Sequence, residues 1–219
     1  ETLKQSLIAF SFNIFGIAAG TTVAFHLGLF ALAPWAIAVY PAMLSARGVI
    51  GGLLSGRLST GLHTGTLQPR FFGNTKSFYV LLHAAVVLTL EAGILMSAVA
   101  ALFGSFLWGA TVVDFVNVLG VILATMILAL FIVTPLTVAV SSLSFKHGLD
   151  PDVILYPVES TVSDLLITLC YFFVLTLFFS YGSAGQYLIA LLGLALLLTA
   201  AYFLHRDIHE PEFVETIKE

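Results

Sequence analysis

The sequence predicts an all-α, polytopic helical membrane protein with about six transmembrane helices. Three observations carry that reading. The 219 residues are 59% hydrophobic and only 9% charged, where a soluble domain carries about 25% charged residues. Apolar runs recur at lengths suited to a bilayer, which takes about 20 residues per helix. Carboxylates stand inside such runs: Glu91 in one, Glu159 and Asp164 in another. An ionised side chain in hydrocarbon is costly, so it normally faces a polar cavity or a partner and marks a functional site.

Composition also excludes classes. A net charge of -4 leaves no clustered basic surface, so no nucleic-acid partner is expected. Cys170 is the one cysteine and reads as a small buried apolar residue. Scarce thiolates disfavour a site for soft metals. Neither a GxSG nor an HExxH pattern occurs, and phosphate-binding loops are absent, so an enzyme is not expected. The apolar run from Leu7 to Phe30 is too long for a cleavable signal. The chain opens on Glu1 rather than Met, which is compatible with a soluble regulatory domain ahead of it.

The first span is expected from Leu7 to Leu29, with Gly16 and Gly20 as a small-residue pair for close helix approach. The second begins near Leu32, with Pro34 suited to a helix start and Pro41 expected to kink or break it. Gly48, Gly52 and Gly56, then Gly61 and Gly65, repeat every four residues, for tight helix contact or for backbone beside an ion path. Arg47 and Arg57 lie at different azimuths, and at least one is expected to snorkel out of the hydrocarbon. The third span runs from Phe78 to Phe103 around Glu91. Residues 104–117 read as a connection containing Asp114, and the fourth span as Val118 to Val140 with a kink at Pro135.

The fifth span, from Val153 to Phe179, holds the strongest site signal. Asp150 and Asp152 flank Pro151 at its start, and Pro157 lies five residues in. Ser160, Thr161, Asp164 and Thr168 share one helical face as a polar stripe, and Glu159 lies off it. The sixth span runs from Tyr187 to Leu204, uncharged, with a packing or lipid-facing role. Residues 1–209 thus make one transmembrane domain and 210–219 a cytoplasmic tail. Lys4, Arg70 with Lys76, Lys146, and Arg206 with Lys218 fall at alternate connections, which places both termini in the cytoplasm.

Oxygen ligands suit hard divalent cations, and Mg²⁺ keeps several waters while touching few carboxylates. Asp164 is therefore the leading ion-handling residue, Ser160, Thr161 and Thr168 would orient its waters, and Glu91 is a second in-membrane candidate.

Two blocks resemble the transmembrane domain of the MgtE-type magnesium transporters, the fold repeated in the solute carrier 41 proteins. One runs from Tyr40–Pro41 through Arg47–Gly48, Gly51–Gly52 and Arg57–Leu58–Ser59 to Gly65–Thr66–Leu67–Gln68–Pro69. The other, the more specific, is Gly148–Leu149–Asp150–Pro151 followed by Thr161 and Asp164. Glu91–Ala92 is similar to an acidic position of the family's third helix. Gly51–Gly52–Leu53 differs from the family's Gly-Gly-Asn, and the sixth span exceeds the five of the bacterial domain. The resemblance implies a homodimer in the plasma membrane that moves Mg²⁺ through a pore at the two-fold axis, with Asp164 binding the hydrated ion. A Na⁺-coupled exporter of divalent cations and a non-transporting membrane scaffold are the alternatives.

Overall fold

The structure is a computed structural model that describes residues 11–109, 111–148 and 158–218. The described residues are helical, with no strand among them: α1 (Asn13–Phe25), α2 (Leu27–Leu32), α3 (Pro34–Thr64), α4 (Lys76–Trp108), α5 (Val112–Lys146), a π-helical turn (Val158–Val162), α6 (Ser163–Ser180), α7 (Gly182–Asp207) and α8 (Pro211–Lys218). Five of the described helices are long and apolar enough to cross a membrane: α3, α4, α5, the π turn with α6, and α7. The first expected span takes the form of α1 and α2 joined at His26, and its beginning, with Lys4 and Leu7, lies outside the described residues. Asp150, Pro151, Asp152 and Pro157 also lie outside them.

Several boundaries differ from expectation, each for a local reason. Pro41 and Pro135 interrupt neither α3 nor α5. Each costs one backbone bond, which a transmembrane helix supported by neighbours tolerates. Pro34 opens α3, where its missing N–H costs nothing, and Gly65 closes it at φ 74°, a left-handed geometry that suits glycine. The connection expected over 104–117 shrinks because Thr111 and Asp114 form a capping box that starts α5 at Val112. There the Asp114 carboxylate accepts the Thr111 N–H at 2.7 Å. Tyr181 alone separates α6 from α7. A Cβ on Gly185 would land on the Leu177 carbonyl, so this corner requires glycine.

Helix α5 is the centre of the bundle and packs on α3, α4, α6 and α7. Val121, Ile122, Ala124, Ala129 and Val133 are fully buried on it. Thr89, Ser97, Thr125 and Thr137 each donate to the carbonyl four residues earlier, so these buried hydroxyls are satisfied within their own helices. Cys170 is buried, as expected.

The far end of the chain is more ordered than a tail. Phe213 of α8 inserts among Val80, Ala84, Val87 and Ala200. Glu210 pairs with Lys76 at 2.6 Å, Glu212 accepts the Ser77 hydroxyl at 3.0 Å, and Glu215 lies 3.8 Å from Arg57. The expected sixth span extends past Leu204 to Asp207, and its role is more than packing. Asp207 is only 4% exposed and pairs with Nδ1 of His83, whose ring stacks on Phe203 at 3.8 Å. That bond pins α7 to α4.

Two outcomes test this architecture. With Cys170 replaced by Ala, single cysteines at Gln68 and Ser183 should react with impermeant thiol reagents from opposite faces of the membrane. Reaction from one face only would contradict the arrangement. Gly185→Ala should lower the thermal unfolding midpoint in detergent, with a cost of roughly 1–3 kcal/mol from overpacking, whereas Gly16→Ala should not, because nothing lies near its Cβ position.

Candidate cation site

The site is assembled where α3 runs antiparallel to α6. Two tyrosines set the register. The Tyr171 hydroxyl donates to the Ala36 carbonyl. The Tyr40 hydroxyl bonds Thr168 Oγ1 at 2.8 Å. Thr168 spends its own proton on the Asp164 carbonyl at 2.6 Å, so Tyr40 is the donor to it. The Tyr40 and Tyr171 rings stack with centroids 5.7 Å apart, and Phe30 and Phe172 close around them. The result is a hydrogen-bonded chain, Tyr40 to Thr168 to the Asp164 backbone, inside an aromatic wall.

Asp164 sits at the second residue of α6, directly after the π turn. The π turn widens the backbone by one residue, a distortion frequent at functional sites. It also breaks the simple periodicity assumed for the polar stripe. Ser160 is exposed, Thr161 and Asp164 are half-buried, and Thr168 is fully buried. The stripe thus passes from the surface of the chain into its core. Glu159 falls within the π turn.

Arg47 of α3 is the positive charge nearest this arrangement in register. It is 3% exposed, and α3 packs against the π turn that precedes Asp164. Of the two arginines on α3, Arg47 stays inside, while Arg57 reaches the end of the bundle and Glu215.

The glycine ladder divides in two. Among the described residues, Gly48, Gly52 and Gly56 have nothing within 4 Å of a Cβ position, so no described helix packs on them. With Pro41 and Ser45 they form an exposed strip of small residues along α3. Gly61 instead is held by the Leu67 side chain. Gly52 and Gly56 also border a cavity of about 580 Å³ whose other walls include Arg57, Thr60, Glu212 and Glu215.

The sequence-predicted residues therefore separate. Ser160, Thr161 and Asp164 are brought together at the start of α6. Glu91 is not brought to them: it is exposed on α4, which packs on α3, α5, α7 and α8 rather than against α6. Among the described residues no three His, Cys, Asp or Glu side chains converge on one point. Tyr40 and Arg47 lie at the site, and sequence reasoning named them in the family resemblance without giving either a role there. Their spacing of seven residues puts them on one helical face, which was the available signal.

Five described helices long and apolar enough to cross a bilayer define an integral membrane protein. The MgtE family, described as divalent cation transporters, matches residues 40–174, a stretch that contains Tyr40, Arg47, Ser160, Thr161, Asp164 and Thr168. The chain belongs to that family. No curated protein and no solved structure matches it.

Tyr40→Phe removes one donor and leaves the ring in place. It should reduce stability by about 0.6 kcal/mol, the average for interhelical hydrogen bonds in membranes. Denaturant unfolding in mixed micelles measures it, and Tyr40→Ala should cost several times more because the aromatic stack is lost as well.

Proposed function

We propose that the chain moves Mg²⁺ across the plasma membrane as a homodimer, with Asp164 of each copy anchoring the ion on the shared axis. The observation that carries this reading is the placement of a half-buried carboxylate at a widened helix start, beside an open strip of small residues on α3. One chain contributes one Asp164. Two copies facing each other across Gly48, Gly52 and Gly56 would contribute two carboxylates, which match the charge of a divalent ion. Small residues let backbones approach closely in hydrocarbon, and exposed Ser160 would lie at the same interface.

The chemistry follows from hydration. Mg²⁺ dehydrates reluctantly and prefers to keep its waters. Asp164 would hold the ion largely through those waters, with Ser160 and Thr161 as acceptors that orient them. Thr168 is committed to Tyr40 and to the Asp164 carbonyl, so it holds the helix rather than the ion. Glu91 lies on a different face and serves as the comparison.

Flux into proteoliposomes tests the reading. Asp164→Asn is nearly isosteric and uncharged, and should cut Mg²⁺ flux by roughly tenfold or more, since charge attraction dominates in a low-dielectric site. Glu91→Gln should leave flux within about twofold of wild type, as expected of a charge outside the path. Loss in Glu91→Gln with Asp164→Asn unaffected would move the site to α4. Flux that requires an opposing Na⁺ gradient would indicate a coupled exporter. No flux in the folded wild-type chain would favour a scaffold.

A further inference from the structure

We infer that Ser59 of α3 and Ser141 of α5 share a buried water molecule, and that this water joins the two helices at the end of the bundle that carries α8.

The two hydroxyls stand apart from the rest of the interior. Thr89, Ser97, Thr125 and Thr137 each donate to the carbonyl four residues earlier in their own helix. Ser59 and Ser141 are each 1% exposed, and neither Oγ has a hydrogen-bond partner among the described residues. Thr134 shares that condition and lies two turns before Ser141 on the same face of α5. A buried hydroxyl without a partner is destabilising, and lipid tails offer it no bond. At 1% exposure a second copy of the chain does not reach these two oxygens either. Their partner is therefore small and internal.

Packing brings the two serines to one level. α3 and α5 run in the same direction: Ala36 and Met43 cluster with Val121 and Ile122, and further along Leu58 and Leu62 cluster with Val138. Beyond that second cluster the His63 ring meets the Phe145 ring edge-on, with centroids 5.6 Å apart. Ser59 stands four residues before His63, and Ser141 four residues before Phe145. Both intervals are uninterrupted α-helix. One turn back along two parallel helices leads again to facing positions at equal height. The oxygens do not bond each other. Packed helices keep their axes about 8–10 Å apart, a separation that two side chains as short as serine do not span. One water does.

The chemistry of the donors selects water over an ion. Two neutral hydroxyls supply no charge, whereas hard cations take six or more oxygen ligands, commonly with carboxylates among them. A buried water makes about three hydrogen bonds. The serines provide two, and a backbone carbonyl with a spare lone pair provides the third. The joint is exchangeable, unlike the direct bond from Tyr171 to the Ala36 carbonyl near the other end of α3.

Thermal unfolding of the full chain in detergent tests this on wild type, Ser59→Ala, Ser141→Ala and the double variant. A wild-type structure at a resolution that shows ordered water is the second readout. Each single change should lower the unfolding midpoint by roughly 2–4 °C, because the water loses a bond and the remaining hydroxyl is orphaned. The double change should lower it by less than the two singles summed, since their effects are coupled through one water. Density should lie within hydrogen-bond distance of both oxygens. Single changes that leave or raise the midpoint, or effects of either sign that simply add, would overturn the inference. A midpoint that rises when Na⁺ replaces choline in wild type, but not in the double variant, would assign the site to a cation and overturn the water. Should a variant not fold, the density decides, and none between the two oxygens would overturn the proposal.

Discussion

The structure depends on how α3 is held against α6 in a solvent that offers no hydrogen bonds. In hydrocarbon each polar group must find its partner inside the protein. Tyr171, Tyr40 and Thr168 meet that demand between the two helices. Once they are paired, α3 cannot slide along α6 by a turn without leaving several polar atoms bare. That single constraint sets the height of Arg47 relative to Asp164 and turns the aromatic wall toward α1 and α2. His26 of the junction between those helices stacks on Phe172 at 4.7 Å, which ties the amino-terminal part of the described chain to the same wall.

The class was legible in the sequence, and Asp164 stood out as a candidate, because hydropathy and charge are properties of residue type. A carboxylate such as Asp164 in an apolar run is conspicuous whatever the fold, and the stretch around it carried the family resemblance as well. Boundaries were less legible. Pro41 was read as a kink or a break and Pro135 as a kink, because proline preferences are learned in water, whereas tertiary support carries α3 and α5 through them. The start of α5 was readable in principle, since Thr111 and Asp114 have capping-box spacing. It was hidden because Asp114 looked like a residue that belongs outside the membrane.

The parts that could not be read are those that depend on two distant segments. Nothing in the sequence pairs His83 with Asp207, 124 residues away. Periodicity likewise assumes 3.6 residues per turn, and the π turn at Val158–Val162 departs from it just before Asp164. Ser160 and Thr168 therefore share a face by arithmetic, yet one is exposed and the other buried. Arg47 and Arg57 were read together, with at least one expected to snorkel out of the hydrocarbon. That α3 lies against α6 is visible only in the tyrosine bonds, which link positions 128 and 135 residues apart.

Helix α8 has a consequence for the field at its end of the bundle. Arg57, Lys76 and Arg206 gather there, and a rim of such charges would lower the local concentration of any divalent cation. Glu210, Glu212 and Glu215 bring three negative charges onto that rim. The potential at the mouth of the cavity is thereby changed in sign or brought near zero over a distance set by screening, about 8 Å at physiological ionic strength. Helix α8, with Glu210 just ahead of it, thus works as a charge correction at that end of the bundle, setting carboxylates beside Arg57 and Lys76.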